Sequence, residues 1–181
     1  MKYPRPVNND FENARPGEEL VAEWLGTEWS THFDSPNDMD FTSHRMDDRG
    51  DWATWAVDVK EKMQPLSFRW KLWSRPSADT FVLDELSIRK ALQYGHCGWF
   101  VLHDVPLERW FVASAVEICM GDHVRVNRTG STGWSKGKWL IDLRQFNQYD
   151  PESQDWVSLP LMIQADTLKY QLGSPCMKGE S

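Results

Sequence analysis

The first clear pattern of apolar and polar residues along the chain has the spacing of an amphipathic helix. Residues 17–25 predict a short helix that Gly26 can end, with an apolar face made of Leu20, Val21, Trp24 and Leu25. Glu19 and Glu23 fall on the opposite side and are expected to be solvated. Residues 1–16 precede this helix, are rich in Pro and Asn, and are expected to form a flexible arm.

Beyond this helix the spacing changes to the alternation that is typical of strands. Residues 39–46 and 52–60 predict a hairpin that turns at residues 47–51. The pattern then predicts a helix over 84–94, a buried central strand over 99–103, and further strands over 110–115, 123–127 and 138–143. Residues 147–181 are expected to be a mostly irregular extension, packed on the same domain or partly disordered, with a helical option at 165–171. This order predicts an α/β fold with an αβββαβ core around a mixed sheet, extra C-terminal strands, and one main domain over residues 17–146.

Composition narrows the class of protein without identifying a function. The net charge of −7 argues against a non-specific nucleic-acid coat, but a local basic patch is enough for phosphate contacts. The three cysteines lack metal-site spacing, and no apolar stretch approaches the ~20 residues of a membrane span. No secretory signal is recognised at the N-terminus. These features predict a cytoplasmic protein with reduced thiols that does not enter a membrane.

The segment around Asp58 and Lys60 carries the most informative chemistry. In a strand these two side chains share one face, and Val57 and Val59 share the other. A carboxylate there can hold Mg²⁺, and the neighbouring ammonium can steady charge that builds on a phosphoryl group. Such a pair also occurs on ordinary amphipathic strands, where it is only a solvated ion pair.

Two further carboxylates belong to the same hypothesis. Asp40 begins the preceding strand, so a hairpin turning at 47–51 would bring it beside Asp58. Glu18 lies on the packing side of the first helix, where its burial requires compensation by a cation. Its position in the first helical turn also favours the helix dipole, so its role stays open. Asp34 and Asp38 are competitors for Asp40, but both adjoin a turn that contains Pro36.

The order of these residues resembles the motif of the PD-(D/E)XK nuclease superfamily, which includes restriction endonucleases and Holliday-junction resolvases. The matching pattern is Glu18 on a helix, Asp40 at a strand start, and Asp58-Val59-Lys60 on the next strand, followed by a helix and a strand up to about residue 104. One departure is that Met39 takes the place of the proline that precedes the first Asp.

The resemblance implies a restriction-endonuclease-like core and a Mg²⁺-dependent, or Mn²⁺-dependent, DNA endonuclease. Glu18, Asp40, Asp58 and Lys60 would be its catalytic residues, with Asp40, Asp58 and Glu18 holding the metal, Glu18 directly or through water. Lys60 would position the nucleophile, and hydrolysis would leave a 5′-phosphate. The implied partner is duplex or branched DNA, with a homodimer as a candidate assembly.

Two other functions remain open from the sequence. One is a module that keeps the nuclease fold, binds nucleic acid or protein, and does not cleave. The other is a Trp-rich β-sandwich that binds carbohydrate, which the 11 tryptophans suggest. Such a sandwich would lack the helix predicted at 17–25. Four basic residues flank the Gly-rich loop at residues 129–133, namely Arg125, Arg128, Lys136 and Lys138. They either contact a DNA backbone or belong to a solvated hairpin. Lys62 is expected to contact phosphate or to lie at an exposed strand end.

Overall fold

The computed structural model has the mixed α/β architecture that the sequence predicts. It describes residues 10–33, 38–46, 51–63, 78–129, 135–152, 158–160 and 162–163. The predicted helical option at 165–171, Pro36 and residues 47–50 of the predicted turn lie outside these residues. No helix in the described ranges is both long and apolar enough to cross a bilayer.

The structure has the three α-helices and nine strands given below, and residues 159–160 and 162–163 are helical as well. The helices are α1 (Asp10–Leu25), α2 (Glu85–Leu92) and α3 (Ala115–Met120). The strands are β1 (Ser30–Thr31), β2 (Phe41–Met46), β3 (Trp52–Lys62), β4 (Thr80–Asp84), β5 (Gly98–Asp104), β6 (Arg109–Ser114), β7 (His123–Thr129), β8 (Ser135–Asp142) and β9 (Asn147–Tyr149). Short 3₁₀ turns lie at Gly95–Cys97, Val105–Leu107 and Leu143–Gln145.

Six of the strands form one mixed sheet in the order β1-β2-β3-β5-β6-β9. The predicted hairpin of β2 and β3 is confirmed, with Phe41 opposite Val57 and Met46 opposite Trp52. β3 pairs in parallel with β5, and all other pairs in this sheet are antiparallel. β4, β8 and β7 form a second, antiparallel sheet of three strands. The predicted central strand is therefore β5, whose described side chains are almost all buried.

The six-stranded sheet is covered on both faces. Side chains of α1 pack on one face together with Val57, Val59 and the β5 and β6 residues that point the same way. Side chains of α2, α3 and the smaller sheet pack on the other face around Phe100 and Leu102. Burial on both faces explains why the β5 segment is continuously apolar in the sequence.

Several predicted boundaries differ from the structure. α1 begins at Asp10 and contains Pro16, so residues 10–16 are helical and do not belong to a flexible arm. Leu20 was predicted on the apolar face, but it is among the exposed apolar side chains. The sequence pattern did not predict β4 or α3, and β9 occupies the start of the extension that was expected to be irregular. The predicted end of α1 at Leu25 is confirmed, whereas α2 ends at Leu92, two residues before its predicted end. Gly26 and Gly95, which follow the two helices, both have positive φ angles.

Candidate active site

Strand alternation on β3 places the acid and the amine on one face of the sheet, as predicted. Val57 and Val59 point toward α1, whereas Ala56 belongs to the apolar cluster beneath α2. Asp58 and Lys60 follow Ala56 in strand phase and therefore point to the α2 face. β3 is an interior strand of the six-stranded sheet and lies between β2 and β5.

Asp40 lies where the pairing of β2 with β3 ends. Phe41 is the last β2 residue in the ladder and faces Val57, so continuing the register by one residue places Asp40 opposite Asp58. The Asp40 carboxylate Oδ2 accepts a hydrogen bond of 2.7 Å from the Val59 N–H. A side chain thus continues the ladder beyond the last main-chain pair and holds Asp40 against β3.

Asp58 and Lys60 form a close ion pair inside the fold. Lys60 Nζ is 2.7 Å from Asp58 Oδ2, and it also donates a 3.0 Å hydrogen bond to the Val59 carbonyl oxygen. The Asp58 side chain is 1% exposed, while that of Lys60 is 32% exposed. Among the described residues, neither Asp58 oxygen accepts a well-directed hydrogen bond. A buried carboxylate in this state retains lone pairs for a further cation.

The pKa values of the site follow from burial and crowded charge. Burial raises the pKa of Asp40 to about 7, and the neighbouring Asp58 carboxylate adds to the increase, with a smaller contribution from Glu18. Lys60 and the Val59 hydrogen bond oppose it. Burial by itself would lower the pKa of Lys60, but Asp58 and Asp40 more than compensate, so the net pKa is raised. Lys60 is therefore an ammonium at neutral pH and cannot serve as a general base.

Glu18 occupies the position on α1 that the sequence indicated. It is buried to 9% exposure, whereas Glu19 and Glu23 are exposed as predicted. Its charge contributes to the raised pKa values of both Asp40 and Lys60, which places it within electrostatic reach of the pair on β3. α1 approaches β3 closely here, because a Cβ atom on Gly17 would lie 2.3 Å from Glu61 Oε1.

The donor set fits a divalent cation through two carboxylates. No group of three or more His, Cys, Asp or Glu side chains with metal-binding geometry occurs within the described ranges. Asp40 and Asp58 still provide oxygen ligands from adjacent strands, and Mg²⁺ is commonly bound by one or two carboxylates together with water and substrate phosphate. In this arrangement Glu18 is suited to contact the cation through a water molecule, because the described residues contain no preformed group of three ligands.

Lys62 has a different environment from the one expected. It is buried, and its ammonium donates to the Ala78 carbonyl oxygen at 2.7 Å and lies 3.2 Å from Asp104 Oδ2. Asp104 is also bound by Arg109, which in turn contacts Asp79. Lys62 therefore belongs to an internal ion-pair network and is neither an exposed strand end nor a phosphate contact.

The basic residues of the β7–β8 hairpin also have local partners. Arg125 contacts Glu85 at 2.7 Å, and Lys138 forms an ion pair with Asp84. Lys136 lines a cleft of about 340 Å³ beside the N-terminus of α2, which contains Asp84 and Glu85 as well. The side chain of Arg128 is outside the described atoms. The mixed charge of this region does not favour a DNA-backbone contact by Arg125 or Lys138.

One contact to the site was not indicated by the sequence. Lys90 on α2 donates a 2.8 Å hydrogen bond to the Asp38 carbonyl oxygen, two residues before Asp40. Its only sequence signal was a lysine on the predicted helix, because the acceptor is main chain and carries no residue-specific pattern.

Comparison with known proteins adds little to this geometry. No family model and no curated protein matches the chain. Among solved structures, the chain matches one described as D212, a nuclease from a fusselovirus, with 11% sequence identity and a TM-score of 0.45. The match covers 95% of this chain and 99% of that one. A likeness at this TM-score carries no argument about function, so the functional conclusion depends on the site itself.

Proposed function

We propose that this chain is a metal-dependent nuclease that hydrolyses phosphodiester bonds in DNA through Asp40, Asp58 and Lys60, assisted by Glu18. The observation that carries the proposal is the arrangement of two carboxylates from adjacent strands around one ammonium. Lys60 Nζ lies 2.7 Å from Asp58 Oδ2, and Asp40 is tied to the residue between them by the Val59 N–H.

Asp58 and Asp40 are assigned to cation binding. Asp58 is fully buried and retains unused acceptor capacity within the described structure, and Asp40 is held beside it by the main chain. Burial first, and then the nearby Asp58 carboxylate, raise the pKa of Asp40 and so disfavour its charged form. A divalent cation would favour that form instead. When bound, Mg²⁺ or Mn²⁺ would supply Lewis-acid polarisation of the phosphate and activation of water.

Lys60 is assigned to electrostatic stabilisation and to orientation of the attacking water. The Lys60 side chain is partly exposed, and its raised pKa keeps the positive charge at neutral pH. An ammonium in this state can donate hydrogen bonds to a phosphoryl oxygen as negative charge increases during attack. Before the cation binds, the same ammonium provides the counter-charge for Asp58.

The test is a cleavage assay with matched variants. Purified protein is incubated with supercoiled plasmid, linear duplex and branched DNA in Mg²⁺, Mn²⁺ or chelator. We expect cleavage only with metal, loss of cleavage in Asp58→Asn, and a decrease of about 100-fold or more in Lys60→Ala. Mn²⁺ binding, followed by electron paramagnetic resonance, should be weakened in Asp58→Asn and largely kept in Lys60→Ala.

Two glutamates on α1 provide an internal control. Glu18→Gln should reduce cleavage, whereas Glu23→Gln changes an exposed residue of the same helix and should leave cleavage unchanged. If the wild type binds these DNAs and Mn²⁺ but cuts none of them, the chain is a non-cleaving module with this fold. If Asp58→Asn cleaves as fast as the wild type, the assigned site is wrong.

A further inference from the structure

We infer that Lys90 is a positioning residue, which holds Asp40 in its place opposite Asp58 through the main chain of Asp38. The inference rests on the proposed function for the role it gives Asp40, but the structural part can be tested without metal or substrate. Lys90 acts on Asp40 through the segment 38–40.

The contact joins α2 to the start of β2. Lys90 Nζ donates a 2.8 Å hydrogen bond to the Asp38 carbonyl oxygen, across 52 residues of sequence. Between Asp38 and Asp40, Met39 is fully buried in the apolar cluster that also contains Ile88 and Ala91 of α2. The helix therefore holds this segment in two ways, by a charged hydrogen bond to its main chain and by packing of a side chain.

This anchoring matters because residues 38–40 lie outside regular structure. β2 begins only at Phe41, so the pairing of the sheet does not fix the segment before it. The Asp40 carbonyl oxygen accepts a hydrogen bond from the His32 N–H at 2.8 Å, and the carboxylate accepts one from Val59. These two bonds hold Asp40 from the β1 side and from β3, and Lys90 holds Asp38, two residues earlier, from α2.

Loss of the Lys90 ammonium should release Asp38 and let Asp40 sample other positions. The Val59 N–H would then lose its acceptor for part of the time, so its amide hydrogen should exchange faster with solvent. Mn²⁺ affinity should decrease by about 10-fold, the smaller effect found when groups that orient metal ligands are removed. The cleavage rate at saturating metal should change much less, because the ligands themselves remain.

The experiment compares Lys90→Met, Lys90→Arg and Arg89→Met in the full chain. Arg89 lies next to Lys90 on α2, but its side chain is exposed and pairs with Glu85, so its removal controls for charge loss on the helix. The readouts are the Val59 amide shift and its hydrogen exchange in chelator, Mn²⁺ affinity, and the metal dependence of cleavage. Asp40→Ala gives the Val59 amide signal expected for a lost acceptor.

We expect Lys90→Met to move the Val59 amide toward the Asp40→Ala value, Lys90→Arg to restore it at least in part, and Arg89→Met to leave it unchanged. A Val59 amide and Mn²⁺ affinity that are unaltered in a folded Lys90→Met variant would overturn the inference. Equal effects from Arg89→Met would overturn it too, because the cause would then be helix charge. If wild-type protein bound no Mn²⁺, the proposed function would fail, while the Val59 readout would still decide the role of Lys90.

Discussion

The neutral substitution Asp40→Asn should change how stability depends on pH. In the metal-free protein the pKa of Asp40 is raised from an ordinary value of 3.8 to about 7, mainly by burial. The folded state therefore keeps a proton on Asp40 between about pH 4 and pH 7, whereas the unfolded chain releases it. The stability associated with protonated Asp40 is fully present below pH 4 and is lost as the pH rises toward 7. Asn keeps a carbonyl oxygen for the Val59 N–H but does not titrate.

The structure sets the size of this effect. A rise of about 3 pKa units at about 1.4 kcal/mol each gives a ceiling of roughly 4 kcal/mol. Asp40 is half-buried, and partial solvation reduces this value. Between pH 4 and pH 7 the free energy of unfolding of the wild type should therefore fall by about 1–3 kcal/mol relative to that of Asp40→Asn. Above pH 7 the difference between the two proteins should level off.

Urea unfolding of both proteins at several pH values, in chelator, measures this difference directly. Other acids titrate in both proteins and cancel in the comparison. Saturating Mg²⁺ should stabilise the wild type at pH 7 more than it stabilises Asp40→Asn, because the cation replaces the proton. A stability difference that does not vary between pH 4 and 7, or one that moves in favour of the wild type, would refute a raised pKa at Asp40.

Three further substitutions test the fold around the site, and urea unfolding at pH 7 measures each. Lys62→Met should lower the free energy of unfolding by about 3 kcal/mol, because the fully buried Asp104 loses one of its cations. A decrease below about 1 kcal/mol would mean that the ion pair is not formed inside the fold. Gly98→Ala should lower the free energy of unfolding by about 3 kcal/mol or prevent folding, since a Cβ atom there would lie 2.0 Å from the Ala91 carbonyl oxygen. An unchanged free energy of unfolding would contradict the close approach of α2 to β5. Trp52→Ala should change stability by no more than about 0.5 kcal/mol, because this side chain is 63% exposed, and a large loss would show that it is covered.

Local pattern was sufficient to predict the centre of the site. Alternation along β3 placed Asp58 and Lys60 together, and the hairpin brought Asp40 opposite Asp58. These relations depend on residues close in sequence and on the fixed geometry of paired strands. The amphipathic pattern of α1 likewise predicted the burial of Glu18.

The errors arose where distant segments decide the outcome. The sequence could not show that Lys62 faces inward, because its partner Asp104 comes from β5, 42 residues later. The early start of α1 was missed because Pro16 and Gly17 together are typical of a helix boundary, whereas the structure continues the helix through both residues. α3 did have a local signal, since Ser114 and Glu117 form a capping box, but a helix of six residues gives too little periodicity to detect.

The network around Lys62 determines what the neighbouring interior can offer to the site. Its described members are three cations, Lys62, Arg109 and Arg144, and three anions, Asp104, Asp79 and Asp142, so these charges balance and their field decreases quickly with distance. Asp58 and Asp40 act on the Lys60 charge most strongly, and Glu18 makes a smaller contribution. A network whose charges balance adds little positive potential at this cluster, so the charged form of Asp40 stays disfavoured by burial and by the nearby Asp58 carboxylate.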